Sequence, residues 1–493
     1  MFSDVNNSIP CKSKLPTNKG YLCRKSYRIR MSLIKSISGI RGTIGGKPGE
    51  GLTPVDVVKF VSAYGTWVKS RTTEKKVKVV VGRDARISGL MVEGLVNATL
   101  IGLGIDVLNL GLSTTPTVEI AVADEKANGG IIITASHNPK QWNALKLLNE
   151  KGEFISDTDG KEVLVLAEQG EFDYSEVNSL GAVTNDNTYI QRHINKILAL
   201  PQVDVEAIKA KKFKVVIDCV NSTGGISLPP LLRALGVDNI VELYTEPTGL
   251  FPHNPEPLPE NLTEISQKVK RENAHLGIVV DPDVDRLALV CEDGEMFGEE
   301  YTLVAVADFI LKNQKGNTVS NLSSTRALKD VTEKAGGSYA ASAVGEVNVV
   351  TLMKETNAII GGEGNGGIIY PELHYGRDAL AGIALFLTHL AKSGSTISML
   401  RGSYPNYFIS KNKIELTPDI DVDELLLKIQ KKYKKHKIST IDGVKIDFDN
   451  EWVHLRKSNT EPIIRIYSES QNETTAQYLA QKIIADIKEI LKM

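Results

Sequence analysis

The chain has 493 residues, 42% of them hydrophobic and 24% charged, with a formal net charge of −2. That length suits about three domains, with two to four reasonable, each able to bury a core without disulfides or structural metals. Residues 1–30 hold seven Lys or Arg against one acidic residue, a net of +6 that leaves −8 for the rest, and a mildly acidic body lacks the footprint of a nucleic-acid or anionic-membrane binder.

The leader is polar and basic without an apolar h-region, which argues against a secretory signal. It reads as a disordered extension, with a transit peptide as the alternative, Met31 as a candidate start and folded structure from about Ser32. The four cysteines, Cys11, Cys23, Cys219 and Cys291, form no CxxC pair. Cys219 and Cys291 sit in or beside apolar runs and suit a reducing compartment. No apolar stretch approaches the roughly 20 residues of a membrane span.

From residue 76 the pattern is strand, helix, strand. Lys76–Val81 is an apolar strand, Met91–Leu103 a helix and Gly104–Leu110 a second strand. Ile131–Thr134 is a third, running into Ala135-Ser136-His137-Asn138-Pro139. Near-continuous apolar strands separated by helices predict a covered, mostly parallel sheet. The pattern restarts after about 185, with strand Lys214–Asp218, helix Leu228–Leu235 and strand Leu276–Val280. It restarts again near Tyr301, with helix Leu303–Leu311 and strand Ala358–Ile360. From 411 the pattern changes to strand, helix, strands, helix. Lys413–Leu416 is extended, Val422–Tyr433 helical, and the basic run Lys431–Lys437 a solvated helix face. In the last helix, 474–492, Ala476, Leu479, Ala480, Ile483, Ile484 and Ile487 share one face. The expected organisation is a leader over 1–31, three consecutive α/β domains over 32–185, 186–298 and 299–410, and an α+β domain over 411–493.

Four motifs carry chemistry. Ser136 follows a buried strand where ligands of open α/β sheets bind, and could act as a nucleophile assisted by His137; an ordinary Asn-Pro turn is the alternative. In Asp281-Pro282-Asp283-Val284-Asp285-Arg286, alternate carboxylates after an apolar strand can converge on a hard cation such as Mg²⁺ or Ca²⁺. An EF-hand is excluded because Arg286 stands where its loop needs glycine and a strand precedes the loop; a solvated acidic turn is the alternative. Gly361-Gly362-Glu363-Gly364-Asn365-Gly366-Gly367 matches G-x-G-x-x-G, but Pro371 prevents the helix that dinucleotide binding requires. What remains presents Glu363 and Asn365, which suit sugar hydroxyls. Finally, Arg456 and Arg465 bracket Ser458-Asn459-Thr460, a phosphate cradle or a polar hairpin.

Together with Gly39-Ile40-Arg41-Gly42 and Gly82-Arg83-Asp84-Ala85-Arg86, these motifs resemble the α-D-phosphohexomutases in family order over about residues 32–493. The resemblance implies a four-domain, heart-shaped enzyme with a central cleft. Ser136 matches the serine that carries the catalytic phosphate, and Asp281, Asp283 and Asp285 match the aspartates that hold Mg²⁺ together with that phosphate. Arg41 and Lys146 match charged groups that assist proton transfer beside the serine and His137. Arg286, Glu363 and Asn365 fall among substrate-binding residues. Arg456, Ser458, Asn459, Thr460 and Arg465 fall in the loop that grips the non-reacting phosphate. Implied cofactors are Mg²⁺, phosphoserine at Ser136 and a sugar 1,6-bisphosphate primer. Gly367 stands where several members have a histidine proposed as a base, and His374 lies nearby but out of register.

The implied reaction is phosphosugar isomerisation. The stretch from the glycine loop through Gly376-Arg377-Asp378 resembles phosphoglucosamine mutase-like members most, with glucose and mannose phosphates as alternatives. A non-catalytic sugar-phosphate binder on this fold is the rival of another class. The protein is expected to be cytoplasmic, monomeric or homodimeric, acting on a small phosphosugar and binding neither nucleic acid nor membrane.

Overall fold

In the computed structural model, which describes residues 32–36, 39–417, 420–457 and 463–491, the chain builds four sheets in sequence. The first uses β1 (Ile34–Ser36), β2 (Gly39–Thr43), β3 (Val77–Arg83), β4 (Ile105–Leu112), β5 (Gly129–Ile133), β6 (Trp142–Leu148) and β7 (Val183–Asn185), in the order β1-β2-β6-β5-β3-β4-β7. Strands β5, β3, β4 and β7 pair in parallel, because α1 (Pro54–Ser70), α2 (Gly89–Gly102) and α3 (Thr115–Asp124) supply crossovers. Strand β6 returns antiparallel to β5, and α4 (Asp157–Gln169) packs on α1. The all-buried pattern of β5 explains why its sequence is an uninterrupted apolar run.

Helices α5 (Tyr189–Leu198) and α6 (Val205–Lys211) lead into β8 (Lys214–Asp218), α7 (Gly224–Ala234), β9 (Asn239–Leu243), α8 (Thr263–Glu272), β10 (Leu276–Val280) and β11 (Leu287–Val290). Their sheet order is β11-β10-β8-β9, antiparallel only at β10–β11. Helix α7 starts earlier than the expected Leu228 and carries Pro229 and Pro230 inside it. The third sheet follows α9 (Glu299–Asn313) and comprises β12 (Asn317–Asn321), β13 (Tyr339–Ser342), β14 (Ala358–Glu363) and β15 (Gly367–Ile369), ordered β13-β12-β14-β15, with α10 (Ala327–Lys334) and α11 (Glu346–Thr356) between strands. Helices α12 (Ala379–Ser393) and α13 (Ile397–Gly402) close this part.

Helix α12 is buried from Ala379 to Ala391. It belongs to one hydrophobic cluster that runs from Ile194 to Tyr404 and so joins the second and third sheets. Apolar burial on this scale, at about 25 cal/mol per Å², fixes the loops of both sheets relative to each other.

The last sheet is wholly antiparallel, β16 (Phe408–Glu415), β20 (Ile463–Ser470), β19 (Trp452–Lys457), β18 (Val444–Asp447) and β17 (Lys437–Ser439) in spatial order. It has its own core with α14 (Val422–Lys432) and α15 (Glu473–Leu491). Strand β16 begins at Phe408, ahead of residue 411. The basic run departs from its expected place, because α14 ends at Lys432 and Lys434, Lys435 and His436 lie in an exposed turn. In α15 the residues Ala476, Leu479, Ala480, Ile483 and Ile487 are buried as the 3.6-residue period requires. Cys219 and Cys291 are buried and free, while Cys11 and Cys23 lie outside the described residues. No helix among the described residues is long and apolar enough to cross a membrane.

Candidate functional site

Where β5 ends, the chain turns sharply and Ser136 adopts φ +48°, a left-handed conformation uncommon for a residue with a Cβ. Its surroundings enforce that geometry. The Ser136 N–H donates to Thr134 Oγ1 at 2.9 Å. Arg86, 2% exposed, pairs through Nε with Asp84 at 3.0 Å and spends its other nitrogens on the loop backbone. Nη1 donates to the carbonyls of Pro139 and Trp142, and Nη2 to those of Ser136 and Asn138. A planar five-donor guanidinium suits this clamp, since a lysine cannot satisfy four carbonyls in one plane. The clamp aims Ser136 Oγ at Asp281 Oδ2, to which it donates at 2.8 Å. His137 Nδ1 lies 3.3 Å from the same hydroxyl. Burial, then the charges of Arg286 and Arg41, hold the His137 imidazole well below its ordinary range, so it is neutral near pH 7.

Asp281, Asp283 and Asp285 lie in the tight hairpin between β10 and β11, all fully buried. One carboxylate oxygen of each lies within 4.8 Å of the others. The hairpin is braced from three directions. Asp281 Oδ1 accepts from the N–H groups of Asp285 and Arg286, and Pro282 O accepts from Ser222 and Thr223 at 2.7 and 2.8 Å. The Ala379 N–H donates to Val284 O. Val284 itself sits at φ +62°, strained for a β-branched residue and tolerable only because the bracing over-determines it.

One oxygen each of Asp283 and Asp285 is taken by protein donors. Asp283 Oδ2 accepts from Thr115 Oγ1 at 2.5 Å and Lys146 Nζ at 2.7 Å. Asp285 Oδ2 accepts from Lys146 Nζ at 3.2 Å and Arg377 Nη2 at 2.8 Å. Asp283 Oδ1 and Asp285 Oδ1 are buried and accept nothing among the described residues. Burial, then the charges of Asp285 and Asp283, push Asp281 well above the usual carboxylate range. Against the burial, Arg377, Lys146 and Arg286 hold Asp285 low. Burial likewise opposes the charge on Lys146, but Asp283 and Asp285 raise its pKa. Three converging carboxylates with two orphaned oxygens match the donor set of a hard, oxygen-seeking dication.

The glycine motif forms the antiparallel hairpin between β14 and β15, and the next helix, α12, begins only at Ala379. Glu363, 5% exposed, accepts at Oε1 from Asn321 Nδ2 (2.9 Å) and Gly345 N–H (3.0 Å), and at Oε2 from Arg377 Nη1 (3.1 Å). Asn365 Oδ1 accepts from the Gly367 N–H at 3.1 Å, which shapes the turn. At Gly364 a Cβ would lie 2.0 Å from the Glu300 carboxylate, which would have to move aside to admit a side chain there. His374 is spent elsewhere, in contacts with Asp378 (3.2 Å) and Glu119 (3.3 Å). Despite its burial these carboxylates push it up to about 10, which makes it unsuited to act as a neutral base.

Arg456 on β19 and Arg465 on β20 stand directly opposite each other. Like charges so placed repel unless an anion lies between them. Arg456 Nε lies 2.7 Å from Asp442 Oδ2, and Asp442 also accepts from the Val344 N–H, next to Gly345. Ser458, Asn459 and Thr460 lie outside the described residues. Arg41 donates to Asn138 Oδ1 at 2.9 Å. Arg286 Nη1 lies 3.7 Å from Glu256, and its buried Nε has no hydrogen-bond partner among the described residues. The structure therefore gathers Ser136, His137, Lys146, Asp281, Asp283 and Asp285 in direct contact, and links Glu363 to them through Arg377. Sequence reasoning missed Thr115, Arg377 and Glu346 as parts of this cluster. Arg86 and Arg377 stood within motifs but without a role, and Thr115 gave no local signal.

Models of the phosphoglucomutase/phosphomannomutase family match the chain in order, with alpha/beta/alpha domains I, II and III over residues 33–173, 191–294 and 298–407 and the C-terminal domain over 419–486. A phosphoglucomutase/phosphomannomutase of Thermococcus kodakarensis is 36% identical across 92% of this chain and 99% of its own. A phosphoglucosamine/phosphogalactosamine mutase of Sulfurisphaera tokodaii is 33% identical across 92% and 98%. A solved phosphoglucomutase/phosphomannomutase family protein of Burkholderia thailandensis superposes with a TM-score of 0.80 at 25% identity, covering 94% of this chain and 98% of that one.

Proposed function

The chain belongs to the phosphoglucomutase/phosphomannomutase family, and from that premise we propose that it interconverts glucosamine 6-phosphate and glucosamine 1-phosphate through a phosphoserine at Ser136 and a bisphosphorylated sugar. The observation that carries the mutase reading is Ser136 Oγ held 2.8 Å from Asp281, a member of a buried triad of aspartates. A phosphoryl group on Ser136 would lie next to Asp281, one member of a triad whose other two members each keep a buried oxygen without a partner among the described residues.

Asp281, Asp283 and Asp285 would hold Mg²⁺, which when bound neutralises charge building on the transferring group. The rest falls to the chain. Arg86 and Thr134 fix the serine loop so that no reorganisation is needed at transfer. Lys146, charged and pinned by two aspartates, places a second cation against the triad that Ser136 meets through Asp281. His137, neutral, takes or returns the proton of the attacking or leaving hydroxyl. Glu363 faces the sugar. Arg456 and Arg465, with Ser458, Asn459 and Thr460, bind the phosphate that is not reacting. After the first transfer the bisphosphate turns end for end, and its other phosphate returns to Ser136.

On this reading Arg456 and Arg465 bind the substrate phosphate equally in ground and transition states. Replacing either with methionine should raise KM about 10- to 100-fold and change kcat by less than about threefold. A loss confined to kcat would reassign them to the transfer step.

Support for glucosamine is the likeness to the Sulfurisphaera tokodaii mutase, whose name includes phosphoglucosamine. The greater identity to the Thermococcus kodakarensis protein favours glucose and mannose phosphates as the second reading. Measuring kcat/KM for glucosamine, glucose and mannose phosphates on one preparation, primed with sugar 1,6-bisphosphate, decides between them. Preference for a neutral hexose of about tenfold or more overturns glucosamine and leaves the mutase intact. Release of free phosphate without isomer overturns the mutase.

A further inference from the structure

Arg377 lies between the hairpin that carries Asp285 and the hairpin that carries Glu363. It is 8% exposed and meets three carboxylates from three elements. Nε donates to Glu346 Oε2 at 2.8 Å, Nη1 to Glu363 Oε2 at 3.1 Å and Nη2 to Asp285 Oδ2 at 2.8 Å. Its backbone is anchored too. The Arg377 N–H donates to Glu346 Oε1, and the next residue, Asp378, caps the buried helix α12 by accepting from the N–H groups of Leu380 and Ala381. Gly367 clears its path, since a Cβ there would lie 2.3 Å from Arg377 Cδ.

The bonds are distributed with a consequence. Arg377 takes Oδ2 of Asp285, shared with Lys146, and leaves Oδ1 without a partner among the described residues. It also takes one of the two Glu363 oxygens, whose other oxygen is fixed by Asn321 and Gly345. A rigid fork can hold two carboxylates at a set angle, whereas an ammonium on a flexible stem cannot. Its positive charge beside Asp285 also opposes a second cation in the triad.

We propose that Arg377 is a positioning residue that joins the aspartate loop to the glycine loop, orienting Glu363 for the sugar while weakening the triad's hold on a divalent cation. This rests on the reading above, in which the aspartates hold the cation and Glu363 meets the sugar. Loss of the charge should tighten cation binding, because a repelling cation is removed from Asp285 while Lys146 still holds Asp283 Oδ2 and Asp285 Oδ2 in place. A merely structural arginine would do the reverse.

The test compares wild type, Arg377→Met, Arg377→Lys and Gly367→Ala, the last displacing the side chain without removing its charge. Mn²⁺ affinity is read from the free-ion EPR signal without sugar, and kcat and KM from the mutase assay. Arg377→Met should bind Mn²⁺ about tenfold tighter or more, with Arg377→Lys and Gly367→Ala within about threefold of wild type. All three should raise the sugar-phosphate KM by about tenfold or more, with a smaller fall in kcat. Unchanged or weaker Mn²⁺ binding by Arg377→Met overturns the charge role, and a wild-type KM in Arg377→Lys and Gly367→Ala overturns the positioning role. If Arg377→Met fails to fold, those two variants still decide the latter. A wild-type protein that binds Mn²⁺ but isomerises no sugar phosphate refutes the mutase reading, and the Mn²⁺ comparison then still tests Arg377.

Discussion

Ser136→Ala should lower mutase turnover by about 10⁴-fold or more, since removing an attacking or carrying nucleophile leaves only binding and electrostatic effects. The substitution is small, and the loop should keep its shape. The Ser136 N–H bond to Thr134 and the four carbonyl bonds from Arg86 do not involve the hydroxyl. The same sample should show by intact mass that the wild type carries a partial phosphoryl adduct mapping to Ser136 and that the variant carries none. Turnover near the wild-type rate in Ser136→Ala would remove the phosphoserine from the mechanism.

Asp281→Asn is the cleanest probe of the aspartate triad. Its amide oxygen can keep the bonds from the N–H groups of Asp285 and Arg286, and its amide nitrogen can replace the contact with Ser136 Oγ. Only the charge is lost. Without that anion kcat should fall by about 10²- to 10³-fold, as for other losses of preorganised charge stabilisation. Metal-free stability should respond in the opposite direction. Burial and the charges of Asp285 and Asp283 push Asp281 above its unfolded value, so ionising it as pH rises costs the wild type stability. Metal-free Asp281→Asn should then melt at or above the metal-free wild type from neutral pH upward. Mg²⁺ should raise the wild-type Tm and leave the variant nearly unmoved, because a ligand stabilises only the state that binds it. Full activity after exhaustive chelation, or an equal Mg²⁺ shift in both proteins, would contradict the triad as the cation site.

The sequence alone determined the class of the fold and picked out the candidate loops for its chemistry. Buried parallel strands such as β5 and β10 must be apolar on both faces, so each appears as a continuous run ending abruptly in polar residues. In such sheets the loop after a strand is where ligands bind, which made Ser136 a candidate, and alternate carboxylates after an apolar strand made the three aspartates another, before any contact was known. The 3.6-residue period of α15 was equally legible, because its face packs on a single sheet. What the tertiary structure decided was which of these loops meet. Ser136 and Asp281 are 145 residues apart, and Lys146 and Asp283 are 137 apart. Thr115 reaches Asp283 across 168 residues from the start of α3, where an ordinary threonine gives no signal. Arg377 drew no role because its meaning lies in three partners from separate elements, brought together by the core that joins the second and third sheets. Local patterns record which face of an element is buried. They do not record what lies against it, and a buried charge acquires its function from that neighbour.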